Sequence, residues 1–252
     1  MKEFYRHKVE RELGRWQMKL LKQPGLLEKH SKQLQNKINA KIPRKVQDGV
    51  TAAIKGIFQS VLFSLKLLPK DPPLHNLTLA ERDNLAKECL GRYQKIAAAE
   101  GAGTGAGGFI AGLADFPALI AIKLKFLFEL AHIYGFSAKE YNERVYILLI
   151  FQLAFSSQEK RHEVLDTILH WDEKSIHFPS PLETMNEENT TVHINWEQLQ
   201  MEYRDAIDFR KTLQLLPGIG AAVGAWANYG LLDDLGETGM NCYRLRILRS
   251  EE

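Results

Sequence analysis

Apolar residues recur at helical spacing along most of the chain. In the first segment they are separated by four, three and four residues, the pattern of an amphipathic helix: Val9, Leu13, Trp16 and Leu20. Lys and Arg fill the other face, and Pro24 and Gly25 end the segment. The pattern predicts a basic amphipathic helix over residues 1–22.

Further helices are indicated by apolar stripes and by start signals. One stripe, from Val46 to Leu68, keeps a spacing of three or four residues for more than six turns. In a capping box, a Ser or Thr and a Glu three residues later bond each other's backbone amides at the start of a helix. Such boxes occur at Thr78–Glu81, Ser137–Glu140 and Ser156–Glu159, with a looser version at Asn195–Gln198. No alternating run of strand length has convincing turn flanks, so we expect an all-α fold.

Residues 174–194 interrupt the helical pattern. They contain two prolines, several Asn and Thr residues and little periodicity, which predicts a surface loop. Apolar helical stripes continue on both sides of it. We therefore expect residues 1–252 to form a single compact multi-helix domain from which this loop is an excursion.

Six glycines fall within the twelve positions from Gly101 to Gly112. The stretch Gly103–Gly108 fits the dinucleotide fingerprint G-x-G-x-x-G, which requires a preceding strand and an acidic residue about 20 positions later. Here the preceding residues have a helical pattern, and the next acid, Asp115, follows Gly108 by only seven residues. The sequence therefore argues against nucleotide binding.

The same glycines fit a helix face with almost no side chains. Small residues spaced by three and four positions would line it: Ala98, Gly101, Gly105, Gly108 and Gly112. A similar spacing follows Pro217, at Gly220, Gly224 and Ala227, with Asn228 next to it. Small-residue faces permit close approach of helices. We expect these two glycine-rich segments to pack tightly on each other, or to enclose an apolar ligand.

Asp115 lies in an apolar stretch and allows two interpretations. It fits the N-cap of a helix whose first turn contains Pro117. Alternatively, it is a functional carboxylate in an apolar pocket, where burial would raise its pKa and suit it to handling protons or cations.

Charge is sorted along the chain although the formal total is only +2. Residues 1–50 hold thirteen Lys or Arg against five acids, and residues 156–205 hold eleven acids against four bases. The basic part is either a solvated face or a surface that meets an anionic membrane or a partner. Its candidate residues are Lys8, Arg11, Arg15, Lys19 and Lys22. Aromatic residues are sparse there and no recognised module is present, so we do not expect nucleic-acid binding.

Other chemistry has little support in the sequence. The eight histidines are never three or four residues apart, Cys89 and Cys242 form no CxxC pair, and no nucleophile elbow is present. We expect no metal site, no cofactor and no catalytic residue. The start of the chain lacks a secretory signal, and the uncharged run Thr212–Leu232 is interrupted by Pro, Asn, Gln and Gly. A cytoplasmic protein is expected.

Long blocks of the sequence resemble the EcsC family of bacteria. They are KIPRKVQDGVTAAIKGIF, EGAGTGAGGFIAGLADFPALIAIKLKFLFELAHIYGF, ERVYILLIFQLAFSS and LLPGIGAAVGAWANYGLLDDLGETGMNCYRLR, in this order along the chain. The resemblance covers nearly the whole sequence. It implies an association with a two-component ABC transporter, an ATPase subunit and a membrane subunit encoded beside it, and it implies no defined reaction and no catalytic residues.

Three functions follow from these observations. The leading hypothesis is a non-enzymatic accessory protein of an ABC transporter, peripherally bound at the inner face of the cell membrane through its basic N-terminal helix. The alternatives are a helical module that encloses an apolar ligand such as a lipid tail, and a hydrolase that uses a carboxylate such as Asp115 or Glu100.

Overall fold

A computed structural model describes residues 2–22, 52, 56–57, 59–62, 69, 71–106, 116–156, 158–175 and 220–250. The helices with complete bounds are α1 Lys2–Leu21, α2 Leu79–Ala106, α3 Phe116–Tyr134, α4 Tyr141–Phe155, α5 Gln158–Leu169, α6 Trp171–Lys174 and α7 Gly220–Ser250. No strand occurs within the described ranges. The predicted all-α fold is therefore confirmed.

The two longest helices, α2 and α7, form an antiparallel pair at the centre. Residue numbers along α2 rise as those along α7 fall: the amide of Gln94 donates to Asp233 and that of Asn228 to the carbonyl of Ala97. Gly236 of α7 lies directly against the side chain of Leu90 of α2. Helices α1, α3 and α4 pack around this pair, and almost every residue of α4 is buried.

Aromatic rings also connect α7 with α3, α4 and α6. The ring of Tyr243 lies 5.4 Å from those of Tyr134 and Phe136 and 5.6 Å from that of Tyr146, centroid to centroid. Tyr146 in turn contacts Trp171, at 4.9 Å. These contacts connect α3, α4, α6 and α7 in one core. Edge-on and stacked aromatic pairs each add about 0.5–1.5 kcal/mol beyond the area they bury.

The start of α2 is the predicted capping box. The backbone amide of Thr78 donates to Glu81 Oε2 over 2.7 Å, and the amide of Glu81 donates to Thr78 Oγ1 over 3.3 Å. Both bonds satisfy amide groups that the first turn leaves without helical partners. This prediction is confirmed.

The predicted box at Ser137–Glu140 is wrong. Helix α4 begins at Tyr141, and the N-cap residue Glu140 makes no side-chain capping bond. The preceding turn is shaped instead by Arg144, whose guanidinium donates to the carbonyls of Ala138 and Lys139. At the third predicted box, Ser156 Oγ donates to the carbonyl of Gln152 at the end of α4. Residue 157 and the side chain of Glu159 lie outside the described residues, so this box stays a prediction.

Several predicted elements are described in part or not at all. Within the stripe Val46–Leu68, residues 52, 56–57 and 59–62 are helical, and Val61 and Leu62 are buried. Residues 176–194 of the predicted loop and the helix start Asn195–Gln198 lie outside the described residues. The loop boundaries and the single domain stay predictions.

Candidate functional site

The solvent side of α1 combines bases with large apolar side chains. One stripe, with spacings of four, three, four, three and four residues, holds Phe4, Lys8, Arg11, Arg15, Met18 and Lys22. We call these six residues the outer face. Phe4 is 75% exposed and Met18 is 70% exposed, so neither side chain is packed in the core. None of these six residues is an acid, but Glu12 borders the outer face, because it follows Lys8 by four residues.

The structure separates the five predicted basic residues into two groups. Arg11, Arg15 and Lys22 are exposed and form no ion pair with another described residue. Lys8 lies 3.8 Å from Glu12, a weak contact on the same helix. Lys19 points toward α7, where its Nζ is 2.9 Å from Glu237 Oε2. Lys19 therefore helps to attach α1, while the other four remain on the outer face.

The opposite side of α1 is packed into the core. Val9, Leu13 and Trp16 are at most 5% exposed, which confirms the predicted apolar stripe. Burial of three large apolar side chains contributes several kcal/mol, at about 1.5–3 kcal/mol each. The outer face is thus held toward solvent by a firmly docked helix.

Polar contacts fix the same helix to α2 and α7. Tyr5 Oη donates to Asp83 Oδ2 over 2.6 Å, and Tyr134 Oη of α3 donates to Asp83 Oδ1 over 2.5 Å. Arg244 of α7 lies on the same carboxylate, with its Nη2 2.8 Å from Oδ2, and it also reaches Glu12 at 3.4 Å. Asp83, which is fully buried, therefore receives hydrogen bonds from three helices besides its own.

The protonation behaviour of this cluster follows from burial and pairing. Burial, and then the hydrogen bond to Asp83, raise the pKa of Tyr5 to about 12. Burial, then the negative charge of Asp83 and the hydrogen bond to it, hold the pKa of Tyr134 well above its ordinary value. Burial works against the charge of Arg244, but the hydrogen bond and negative charge of Asp83 outweigh it and raise the pKa of the guanidinium. At neutral pH the phenols are donors and Arg244 is a cation.

A second buried carboxylate, Glu143 of α4, joins that helix to α7. Tyr243 Oη donates to its Oε1 over 2.7 Å, and Arg246 Nη1 lies 2.5 Å from its Oε2. The guanidinium of Arg246 also sits 4.0 Å from the ring centroid of Phe136. Burial raises the pKa of Glu143, and the positive charge of Arg246 opposes that rise.

These carboxylates are arranged as structural ties. Asp83 and Glu143 each accept hydrogen bonds from an arginine and from tyrosine. All four carboxylate oxygens accept such bonds: those of Asp83 from Tyr5, Tyr134 and Arg244, and those of Glu143 from Tyr243 and Arg246. No group of three or more His, Cys, Asp or Glu side chains suited to a metal ion occurs in the described part of the chain.

The structure describes only part of each predicted glycine-rich segment: the first up to residue 106 and the second from residue 220. Helix α2 contains Gly101, which is buried, and continues through Gly105. Gly220 and Gly224 lie in the first turns of α7. Helix α3 begins at Phe116, which places Pro117 in its first turn as predicted. Four predicted site residues lie outside the described residues: Gly108, Gly112, Asp115 and Pro217.

Asn228, one of the predicted site residues, forms a hydrogen bond that joins the two glycine-rich segments. It is buried, and its Nδ2 donates to the carbonyl of Ala97 over 3.2 Å. Ala227 beside it is also buried. The bond places α7 against the helix that carries Gly101. Tight packing through the complete glycine faces stays a prediction, as does a ligand beside Asp115.

Sequence reasoning missed the residues that shape the described core. Two glycines of α7 lie against leucine side chains of neighbouring helices: an added Cβ would lie 2.6 Å from Leu90 Cδ1 at Gly236 and 2.7 Å from Leu130 Cδ2 at Gly239. A signal for Asp83 was present, because it shares a helical stripe with Ala86 and other buried residues of α2. Nothing local marks its partner Arg244.

No described helix has the length and hydrophobicity that crossing a membrane requires. No solved structure resembles the chain at a significant level. Among curated proteins, Protein EcsC of Bacillus subtilis (strain 168) is 42% identical over 234 residues, which are 93% of this chain and 92% of that protein. The uncharacterized protein YdbA of the same organism is 30% identical over 193 residues, 76% of this chain and 65% of that protein. The EcsC protein family matches residues 7–248, so the chain belongs to the EcsC family.

Proposed function

We propose that this protein is a non-enzymatic accessory protein that binds the anionic inner face of a bacterial cell membrane and acts there with an ABC transporter. The observation that carries the proposal is the outer face of α1. It places four bases and two exposed apolar side chains on one side of a docked helix, with no acid among them.

Electrostatic attraction would supply the first part of the affinity. Each Lys or Arg close to an anionic leaflet contributes about 1 kcal/mol, and salt screens this contribution. Four bases therefore suffice for reversible binding. A helix that binds in the plane of the membrane interface also inserts apolar side chains between the headgroups. Phe4 and Met18 lie on the outer face at the positions where such insertion is expected.

The rigid attachment of α1 supports a surface role. Tyr5, Glu12 and Lys19 hold the helix to Asp83, Arg244 and Glu237. The bases are thus presented together on a fixed surface. A surface that is ordered before binding loses less conformational entropy on contact with its partner.

The transporter link comes from family membership and from the association that the EcsC resemblance implies. This association supports a role through interaction at the membrane. The pairing of Asp83 and Glu143 with arginine and tyrosine supports the non-enzymatic part of the proposal, because both carboxylates are engaged in holding helices together.

Vesicle sedimentation tests the membrane part. We expect the full chain to bind phosphatidylcholine vesicles that contain phosphatidylglycerol, and to be released by high salt. The charge reversal Arg11→Glu with Arg15→Glu should abolish this binding. A matched control, Lys125→Glu with Lys139→Glu, changes the net charge equally at exposed positions on other elements and should bind normally. Equal binding by all three proteins, or no binding by the unchanged chain, would contradict the proposal.

Copurification tests the transporter part. The tagged chain, its outer-face reversal and the control would be purified from detergent-solubilised membranes of the native host. We expect both subunits of one ABC transporter to copurify with the unchanged chain and the control. Recovery of neither subunit, in a strain that expresses the transporter, would argue against the link and leave membrane binding to be judged by the vesicles.

A further inference from the structure

The first half of α7 exposes aromatic and acidic side chains together. Trp226 and Tyr229 are 62% and 47% exposed, and Asp233 and Asp234, one turn further along the helix, are exposed as well. Spacings of three and four residues place Trp226, Tyr229 and Asp233 along one stripe, and Asp234 adjoins Asp233. We call these four residues the α7 face.

The α7 face continues the side of α7 on which α1 docks. Glu237 follows Asp233 by four residues and Arg244 follows Glu237 by seven, so these three lie along the same side. Lys19 of α1 binds Glu237, and Glu12 binds Arg244. Because the contacts advance along α1 as they go back along α7, the two helices are antiparallel, and α1 ends soon after Lys19. The α7 face therefore begins where the contact with α1 ends.

This part of α7 attracts positive charge. Residues 220–243 contain three acids, Asp233, Asp234 and Glu237, and no Lys or Arg. The hydrogen bond to Glu237 is the main cause of the raised pKa of Lys19, and the negative charges of Asp234 and Asp233 add to it. Asp233 accepts a hydrogen bond from the neutral amide of Gln94 and pairs with no base among the described residues. Such a surface repels anionic lipid and favours a cationic partner.

The protein core shows how an aromatic ring and a carboxylate together hold a guanidinium. Arg246 donates to Glu143 and lies over the ring of Phe136, 4.0 Å from its centroid. Arginine is favoured in such arrangements because its planar cation stacks on rings and bonds carboxylates in a forked geometry. Tyr229 and Asp233 are four residues apart on one side of α7 and offer the same two groups to solvent.

We propose that the α7 face docks an Arg- and Lys-rich segment of a partner protein, whose cations stack on the two rings and form ion pairs with the two acids. The inference rests on the transporter link proposed above and names the chemistry of that contact. Cytoplasmic segments that flank membrane spans carry an excess of Lys and Arg. The membrane subunit of the transporter therefore offers the required chemistry, and it would bind the α7 face while the outer face of α1 binds lipid.

Photo-cross-linking tests the occupant directly. The photoreactive residue p-benzoylphenylalanine would replace Trp226 in the full chain, expressed in the native host, and mass spectrometry would identify the cross-linked peptides. We expect a Lys- and Arg-rich cytoplasmic segment of the transporter's membrane subunit. The same replacement at Ile96, which is 50% exposed on α2, is the control and should not capture this segment. Cross-links from position 226 to a second copy of this chain, to lipid or to an acidic segment would each overturn the proposal, and so would a lack of cross-links.

Charge reversal provides the second test. Asp233→Lys with Asp234→Lys should lower the recovery of the transporter subunits on copurification by about tenfold or more, because bases then face bases. The matched control, Glu88→Lys with Glu173→Lys, changes the net charge equally at exposed positions on α2 and α6 and should recover both subunits normally. Far-ultraviolet circular dichroism would verify that each variant stays helical.

The outcomes separate this inference from the proposed function. Lost subunits together with retained vesicle binding, in the variant with the reversed α7 face, is the result that supports the inference. Normal recovery of the subunits by this variant would overturn the docking site and leave the proposed function standing. Recovery of neither subunit by the unchanged chain would overturn the transporter link and this inference together.

Discussion

Arg244 and Asp83 meet in the protein interior although 161 residues separate them along the chain. The guanidinium Nε lies 3.0 Å from both carboxylate oxygens, and the Asp83 side chain is completely buried. Desolvation of two charges is costly, so such a pair adds little net stability over a well-packed apolar pair. Its main effect appears when one partner is removed.

Asp83→Asn should therefore destabilise the protein strongly. The substitution leaves Arg244 charged and buried without its main counter-ion, which typically costs about 3–5 kcal/mol of unfolding free energy. Urea unfolding followed by circular dichroism would measure it. Glu88→Gln, an exposed change on the same helix, is the control and should shift unfolding by less than about 0.5 kcal/mol. A small effect of Asp83→Asn would contradict the structural role of this cluster.

Tyr5→Phe should loosen α1 without unfolding the rest. It removes the hydroxyl that donates to Asp83, which is worth about 1 kcal/mol. Amide hydrogen exchange should accelerate in α1 and stay slow in α4. Uniform acceleration in both helices would show that α1 does not open independently.

The pH dependence of stability should carry the signature of Tyr5. Burial and the Asp83 hydrogen bond raise its pKa from 10.0 to about 12 in the folded protein. A raised phenol pKa gives stability that is complete below pH 10.0 and is lost as the pH rises through about 12. We expect the difference in unfolding free energy between the unchanged chain and Tyr5→Phe to stay constant below pH 10.0 and to decline between pH 10.0 and about 12. Parallel stability curves for the two proteins would contradict this assignment.

Glycine substitutions should separate packing from helix propensity. Gly239→Ala places a Cβ 2.7 Å from fully buried Leu130 and should destabilise the protein by about 1–3 kcal/mol. Gly91→Ala meets no atom within 4 Å and should stabilise it by up to about 1 kcal/mol, the propensity gain of alanine in a helix. Thermal unfolding would measure both, and stabilisation by Gly239→Ala would show that Leu130 moves aside easily.

The two thiols should be unreactive in the folded protein. Cys89 and Cys242 are fully buried, and burial raises the pKa of Cys89 to about 12. The thiolate is the reactive form, so little of it exists at pH 8. We expect negligible reaction with Ellman's reagent before unfolding and two thiols per chain in denaturant. Rapid reaction of the native protein would indicate that α2 or α7 opens frequently.

Local features of the structure were predictable from the sequence. The helical spacing of Val9, Leu13 and Trp16 directly encodes which side of α1 is buried. The Thr78–Glu81 capping box depends only on residues within one turn. The Ser137–Glu140 pattern failed although it looks the same, because the carbonyls of the α3–α4 turn bind Arg144 and fix another backbone path.

The contacts between helices were not predictable in this way. Asp83 and Arg244, or Gly236 and Leu90, are brought together by the antiparallel pairing of α2 and α7, and no sequence period records which residues face each other. The same limit applies to the outer face. Its bases were visible in the sequence, but the exposure of Phe4 and Met18 depends on how α1 docks.

The contact between α1 and α7 also has a consequence for synthesis. Glu12 and Arg244 are 232 residues apart, so the ribosome completes α1 long before it makes the helix that holds it. The contacts between α1 and α7 therefore form only after α7 has been translated, whereas Tyr5 can reach Asp83 of α2 earlier. Until then the basic helix and its apolar stripe emerge together and unpaired with α7, and a nascent chain can meet lipid before it meets its own last helix.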